Sequence, residues 1–160
     1  MTAPKYLRLL GAGLDSRVVR PPGVSERDVN MTLHAVVEAF LDELPPRYPF
    51  PGIGKVYLRL GGNSHGGVRS YGPEIGVAEF IWDDFDLTAY LASDRPAQQA
   101  LVLQALERGL LAVAATVGAD PEPIRAAASR LRAREFPLPE FSDDELDRRW
   151  GLARSRVPGA

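Results

Sequence analysis

Between residues 29 and 44 the apolar positions Val29, Leu33, Val36, Val37, Phe40, Leu41 and Leu44 recur at three- and four-residue spacing, while Arg27, Asn30, His34, Glu38 and Asp42 fall on the other side. That period predicts an amphipathic helix laid on a core, its polar face solvated. Ser25, three residues before Asp28, is a variant of the capping box, and Pro45-Pro46 stops the run. From Lys55 to Leu60 the period becomes two, with Val56, Leu58 and Leu60 on one face and Lys55, Tyr57 and Arg59 on the other. Such alternation predicts a strand with one wet face, which Val68 to Tyr71 extends as a hairpin. In Ile75 to Trp82 apolar residues occupy both alternating sets, so this strand is more deeply buried. An opening strand is expected over KYLRLL, residues 5 to 10, followed by a loop through Pro21, Pro22 and Gly23.

The second half reads as helices. Ser93 or Asp94 caps the first and Pro96 suits its opening turn; Ala100, Leu103, Leu106, Leu110, Val113 and Val117 make its buried stripe. Leu101, Val102 and Leu111 widen that face, which predicts the central helix of the fold, ended by Gly118. Asp120-Pro121 starts another, with a narrower stripe at Ile124, Ala127, Ala128 and Leu131. Residues 136 to 141 are extended, and Ser142 caps a last short helix carrying Leu146 and Trp150. The expected fold is α+β: a single domain over residues 1–152, a mainly antiparallel sheet packed against several helices, with 153–160 a frayed tail.

Composition narrows the function classes. The 160 residues are 45% hydrophobic and 25% charged, ordinary globular values. Nineteen basic against 21 acidic residues leave a formal charge of −2, which gives no broad attraction to nucleic acid or to an anionic membrane. The chain has no cysteine, so disulfides, thiolate metal sites and cysteine nucleophiles are excluded. MTAPKYLRLLGAGLDSR is too charged for a secretory signal, and the most apolar window, Gly109 to Ala119, is about half of the ~20 residues a spanning helix needs. A cytoplasmic protein is expected, with neither nucleic acid nor membrane as partner.

Gly62-Asn63-Ser64-His65-Gly66 matches the G-x-S-x-G pattern of a hydrolase nucleophile elbow, but its setting disagrees. The elbow needs a helix directly after the serine, and here His65, Gly66, Gly67, a β-like VRSY and Gly72-Pro73 follow. His34 lies upstream, and side chains at adjacent positions such as Ser64 and His65 usually point apart, so neither histidine is expected to serve as the general base. The loop also lacks the Gly-Lys-Ser/Thr of a phosphate cradle and the G-x-G-x-x-G of a dinucleotide site. His34, Glu38 and His65 lack HExxH spacing, and a solvated helix face explains the first two. No catalytic residue, cofactor or metal is assigned.

Trp82-Asp83-Asp84-Phe85-Asp86 places three carboxylates and two aromatics at the end of the most buried strand. One reading is an ordinary strand end, with Trp82 and Phe85 packed inward and the aspartates solvated or capping a turn at Leu87 to Leu91. The functional alternatives are an acidic, aromatic docking surface for a basic partner, or a carboxylate cluster for metal or acid/base chemistry. In SDDELD, residues 142–147, followed by Arg148 and Arg149, the charge order suits a helix dipole. Tyr48, Phe50 and Tyr57 either pack the proline-rich connection or frame a partner pocket.

A strand pair, then WDDFDLTAYLAS, QALVLQALERGLLAVAATVG and DPEPIRAAASRLRA, resembles in layout the small bacterial immunity proteins that neutralise polymorphic toxins. The likeness spans Gly54 to Ala133 and has no signature motif, so no functional residue is carried over. It implies a cytoplasmic, non-enzymatic protein that binds one toxin domain and blocks its active site or substrate groove. The expectation is therefore a protein-binding domain whose partner is a cognate toxin or other protein, with Trp82, Asp83, Asp84, Phe85 and Asp86 as candidate partner-binding residues. Two alternatives stand beside it: a small enzyme using those aspartates, and a structural or adaptor subunit of a homo-oligomer.

Overall fold

Alternation of side chains along the strands decides what the sheet can cover. The computed structural model describes residues 6–15, 17–61, 67–70, 76–142, 144–145 and 147–148. Through them run β1 (Leu9–Leu14), α1 (Glu26–Glu43), β2 (Lys55–Leu60), β3 (Gly67–Ser70), β4 (Val77–Trp82), α2 (Leu87–Ala92), α3 (Arg95–Val117) and α4 (Glu122–Arg132). Leu10, Ala12, Leu14, Val56, Leu58, Leu60, Ala78 and Phe80 supply one buried face, against which α1 and α3 pack.

The sheet has the order β1-β2-β4-β3. β1 and β2 are parallel, β2 and β4 are parallel, and only the short edge strand β3 runs antiparallel to β4. Helices and a sheet are present as expected, but the sheet is mixed and mostly parallel, which corrects the mainly antiparallel expectation. The physical reason lies in the connections: α1 carries the chain back over the sheet between β1 and β2, the crossover that parallel strands require. The expected hairpin partner of β3 is also corrected, from β2 to β4.

β1 lies later than expected, at 9–14 instead of 5–10. Its glycines read as loop, yet Gly11 is needed there: a Cβ on it would lie 2.5 Å from the Tyr57 ring. Tyr57 therefore covers Gly11, away from Tyr48 and Phe50, which are buried and meet edge to face at 5.6 Å.

α1 buries its expected stripe, with Leu41 partly exposed. His34 and Glu38 overturn the solvated-face reading, being 6% and 2% exposed, because the helix is packed by β1, α3 and α4. At its C-terminal end Arg130 donates from Nε to Glu43 Oε2 at 2.7 Å and from Nη2 to the Glu43 carbonyl at 2.6 Å.

Leu87 to Leu91 forms the helix α2 instead of a turn, capped by Asp86, whose carboxylate accepts from the Ala89 N–H at 3.2 Å. Asp94 caps α3 through the Ala97 N–H at 3.0 Å, and Gly118 ends it at φ 75° in the left-handed region. The stripe on α3 is shifted: Ala100 is exposed and Gln99 is buried. Gln99 Nε2 donates to the Leu138 carbonyl at 3.2 Å, and the Leu138 N–H donates to Gln99 Oε1 at 2.5 Å. One amide side chain thereby docks the extended 136–141 segment. Arg95 reinforces it, bonding Thr32 of α1 and pairing with Glu140 at 2.8 Å.

Among the described residues α3 is the helix long and apolar enough to cross a membrane, its best window reaching a mean hydropathy of 1.6. This corrects the shorter apolar stretch expected from Gly109 to Ala119. Val102, Leu103, Leu106, Leu110 and Val113 are buried in the common core, where α3 meets α1, α4, β2, β3 and β4. Ser142 Oγ accepts from the Glu145 N–H at 3.2 Å, with helical backbone at 144–145 and 147–148. Ser64, His65, Leu146, Trp150 and the 153–160 tail lie outside the described residues.

Candidate functional site

Because β1, β2 and β4 are parallel, their carboxyl ends share one edge, where Leu14, Leu60 and Trp82 stand in register. In open α/β sheets this edge is where ligands and partners tend to be met, since the connecting loops start there. The Asp15 N–H donates to the Leu60 carbonyl at 3.1 Å and the Gly61 N–H to the Trp82 carbonyl at 2.8 Å, so the edge is stitched across all three strands. At Gly61, φ is 72°, and a Cβ would come within 2.9 Å of Val18 Cγ2 and 3.8 Å of Phe85 Cδ1. The loop after β1 and the turn after β4 therefore converge over one glycine.

The sheet face turned away from α1 and α3 carries a charged network. Alternation puts Gly11 and Gly13 of β1, Tyr57 and Arg59 of β2, and Val77 and Glu79 of β4 on it. Arg59 Nε donates to Glu79 Oε2 at 2.7 Å, Nη2 also contacts that carboxylate, and Nη1 lies 3.5 Å from Asp15 Oδ2. Arg17 closes the other side of Asp15: its backbone N–H donates to Oδ1 at 2.8 Å, its Nε to Oδ1 at 3.0 Å and its Nη2 to Oδ2 at 3.0 Å.

Asp15 is 2% exposed, but its cover is thin, since it is shielded largely by an Arg17 side chain that is itself 63% exposed. The Arg17 hydrogen bonds hold its carboxyl well below the usual carboxylate range, outweighing burial, which pushes it up. A shallow depression of about 340 Å³ lies beside the network, bounded by Gly13, Tyr57, Arg59, Val77 and Glu79. A carboxylate held that acidic is a poor proton acceptor at neutral pH, so Asp15 acts as the acceptor that ties Arg17 and Arg59 together at the strand ends.

The sequence-selected residues stand at the same edge. Trp82 and Phe85 are half-buried with ring centroids 5.0 Å apart, and Phe85 packs on Tyr90 at 5.4 Å. Asp83 and Asp84 are exposed, with Asp84 4.0 Å from Arg108, and Asp86 is engaged as the α2 cap. The two aromatics thus pack partly inward while the aspartates diverge. Among the described residues no group of three His, Asp or Glu side chains is placed to hold a metal ion.

Asp15, Arg17, Arg59 and Glu79 were not selectable as a motif, because they come from the loop after β1, from β2 and from β4. One signal did exist: Glu79 is a lone carboxylate inside the apolar run VAEFIW, and a charge in a buried strand requires a partner. No protein-family model, curated protein or solved structure matches the chain.

Proposed function

We propose that the protein is a non-enzymatic binding domain that works through the carboxyl edge of its sheet, its partner being a protein such as a cognate bacterial toxin. The observation that carries this reading is the Trp82–Phe85 pair, half-buried at that edge with Asp83 and Asp84 facing solvent. Aromatic side chains are enriched in recognition patches, whose rim is polar and solvated. Two further observations favour binding over catalysis: Asp86 is committed to capping α2, and Asp15 is locked by Arg17. A toxin with a basic groove would be met by Asp83 and Asp84, which would speed association.

Affinity capture of the tagged full-length chain from its native cells, with mass determination of the eluate, tests the proposal. A stoichiometric protein partner is expected, lost with the paired substitution Asp83→Lys and Asp84→Lys and retained with Arg125→Ala on the remote α4. Recovery of the chain alone, or of a partner indifferent to the lysine pair, overturns this reading. Where the partner is a toxin, co-expression should protect cells from it.

A further inference from the structure

The loop from Arg17 to Ser25 leaves β1 at the same edge. Val19, 89% exposed, stands further into solvent than any other large apolar side chain among the described residues. It is presented by a loop tied down at its base and, toward α1, by Val24, which packs against the core. At the base, Arg17 is clamped on Asp15, the Val18 N–H donates to the Asp15 carbonyl at 3.0 Å, and Val18 packs over Gly61. Further on, Pro21 and Pro22 restrict the backbone, and the Val24 N–H donates to the Pro21 carbonyl at 3.2 Å. A loop fixed before contact loses little conformational freedom on binding. Residues 16–25 include no acid, and since Arg17 is compensated by Asp15, the charge the loop offers a partner is that of Arg20 beside Val19. A hollow of about 690 Å³ opens along the loop beside Val19, Arg20 and Pro21.

We infer that this loop is a docking anchor for a protein partner that offers Val19 an apolar pocket rimmed by carboxylates. The inference rests on the binding-domain reading and refines it. Across Gly61 from Val18, the turn at Phe85 carries only acids, Asp83, Asp84 and Asp86, so the edge is basic on the β1 side and acidic on the β4 side. Its partner must show the opposite arrangement, an acid-rimmed pocket beside a basic patch, which a uniformly basic groove does not provide. An anionic bilayer fits less well, because Asp83 and Asp84 beside the loop are repelled and one valine inserts little apolar surface.

The test uses the full chain and the partner it captures, titrated against each other with wild type, Val19→Asp, Arg20→Glu and the Asp83→Lys, Asp84→Lys pair, all at exposed positions. Capture alone decides nothing. Val19→Asp and Arg20→Glu should each weaken binding by about tenfold or more, and the Arg20→Glu loss should shrink at high salt. A photo-crosslinking residue at position 19 should mark a partner segment bordered by Asp or Glu. Binding within about twofold of wild type for both loop variants, while the lysine pair abolishes it, overturns the anchor and leaves the binding reading standing. A crosslink to a basic segment also overturns it, as does Val19-dependent binding to vesicles of phosphatidylserine and phosphatidylcholine. If no partner is captured, both readings fall together.

Discussion

His34 shows how much one side chain can control at neutral and acid pH. Burial pushes its imidazole down to about 4 from an ordinary 6.5. The unfolded chain binds the proton as pH falls below 6.5, whereas the folded protein does so only near 4. Stability is therefore complete above the unfolded value and is lost as pH falls through that window, by up to ~3 kcal/mol. Urea unfolding at several pH values should show the decline in wild type and a shallower one in His34→Gln; parallel profiles would remove His34 as its source. Asp15 is likewise depressed, so its contribution is present above the ordinary carboxylate range and is lost as pH falls through its folded value. Asp15→Asn keeps the shape and weakens the acceptor shared by Arg17 and Arg59. It should cost about 1–3 kcal/mol at neutral pH, with the difference from wild type narrowing in strong acid. Gln99 acts through geometry instead: Gln99→Ala leaves the Leu138 N–H and C=O unpaired in a buried site, an expected loss of about 2–4 kcal/mol in urea titrations.

At the scale of elements, fit between helix and strand is set by residues without side chains. A Cβ on Gly109 of α3 would lie 2.7 Å from Phe80 ring carbons of β4, whereas one on Gly13 of β1 meets nothing nearer than Asn30 Oδ1 at 4.0 Å. Gly109→Ala gains helix propensity of ~1 kcal/mol but forces the helix off the sheet, for a net loss of about 1–3 kcal/mol. Gly13→Ala should change stability by less than about 0.5 kcal/mol, and equal losses for the two would contradict the packing described. The same contrast explains what could be read from sequence. α1, β2 and α3 were legible because long periodic patterns report which residues face the core. Strand partners were not, because alternation assigns a face and says nothing of the neighbour. The 18-residue α1 between β1 and β2 is nevertheless a crossover signal for parallel pairing, and it stands equally with the opening strand placed at residues 5 to 10.

For the molecule as a whole, the candidate site was only half legible for a related reason. Trp82 to Asp86 is contiguous and could be selected by composition, whereas Asp15, Arg59 and Glu79 meet only after three strands are parallel and in register. α1 carries the chain between β1 and β2, and α3 is the helix that packs on the rest of the sheet. It contacts α1, α4 and strands β2, β3 and β4, so opening it exposes most of the core at once. Local openings release amides at free energies below that of global unfolding, but amides of an element shared by every layer exchange only when the whole fold opens. Native-state hydrogen exchange should therefore find the slowest amides in the middle of α3, around Leu103 to Val113, and in β2 and β4, with exchange free energies equal to the global value from urea. The six-residue α2 and the ends of α4 should exchange earlier. If the middle of α3 exchanges as fast as α2 under the same conditions, the helix is not the shared core element, and the alignment of the three strand ends must be maintained by the Asp15–Arg59–Glu79 network instead. Arg59→Met, which strips the buried Glu79 carboxylate of its guanidinium partner and so lowers global stability in either case, should in that event accelerate exchange in β1, β2 and β4 more than in the middle of α3.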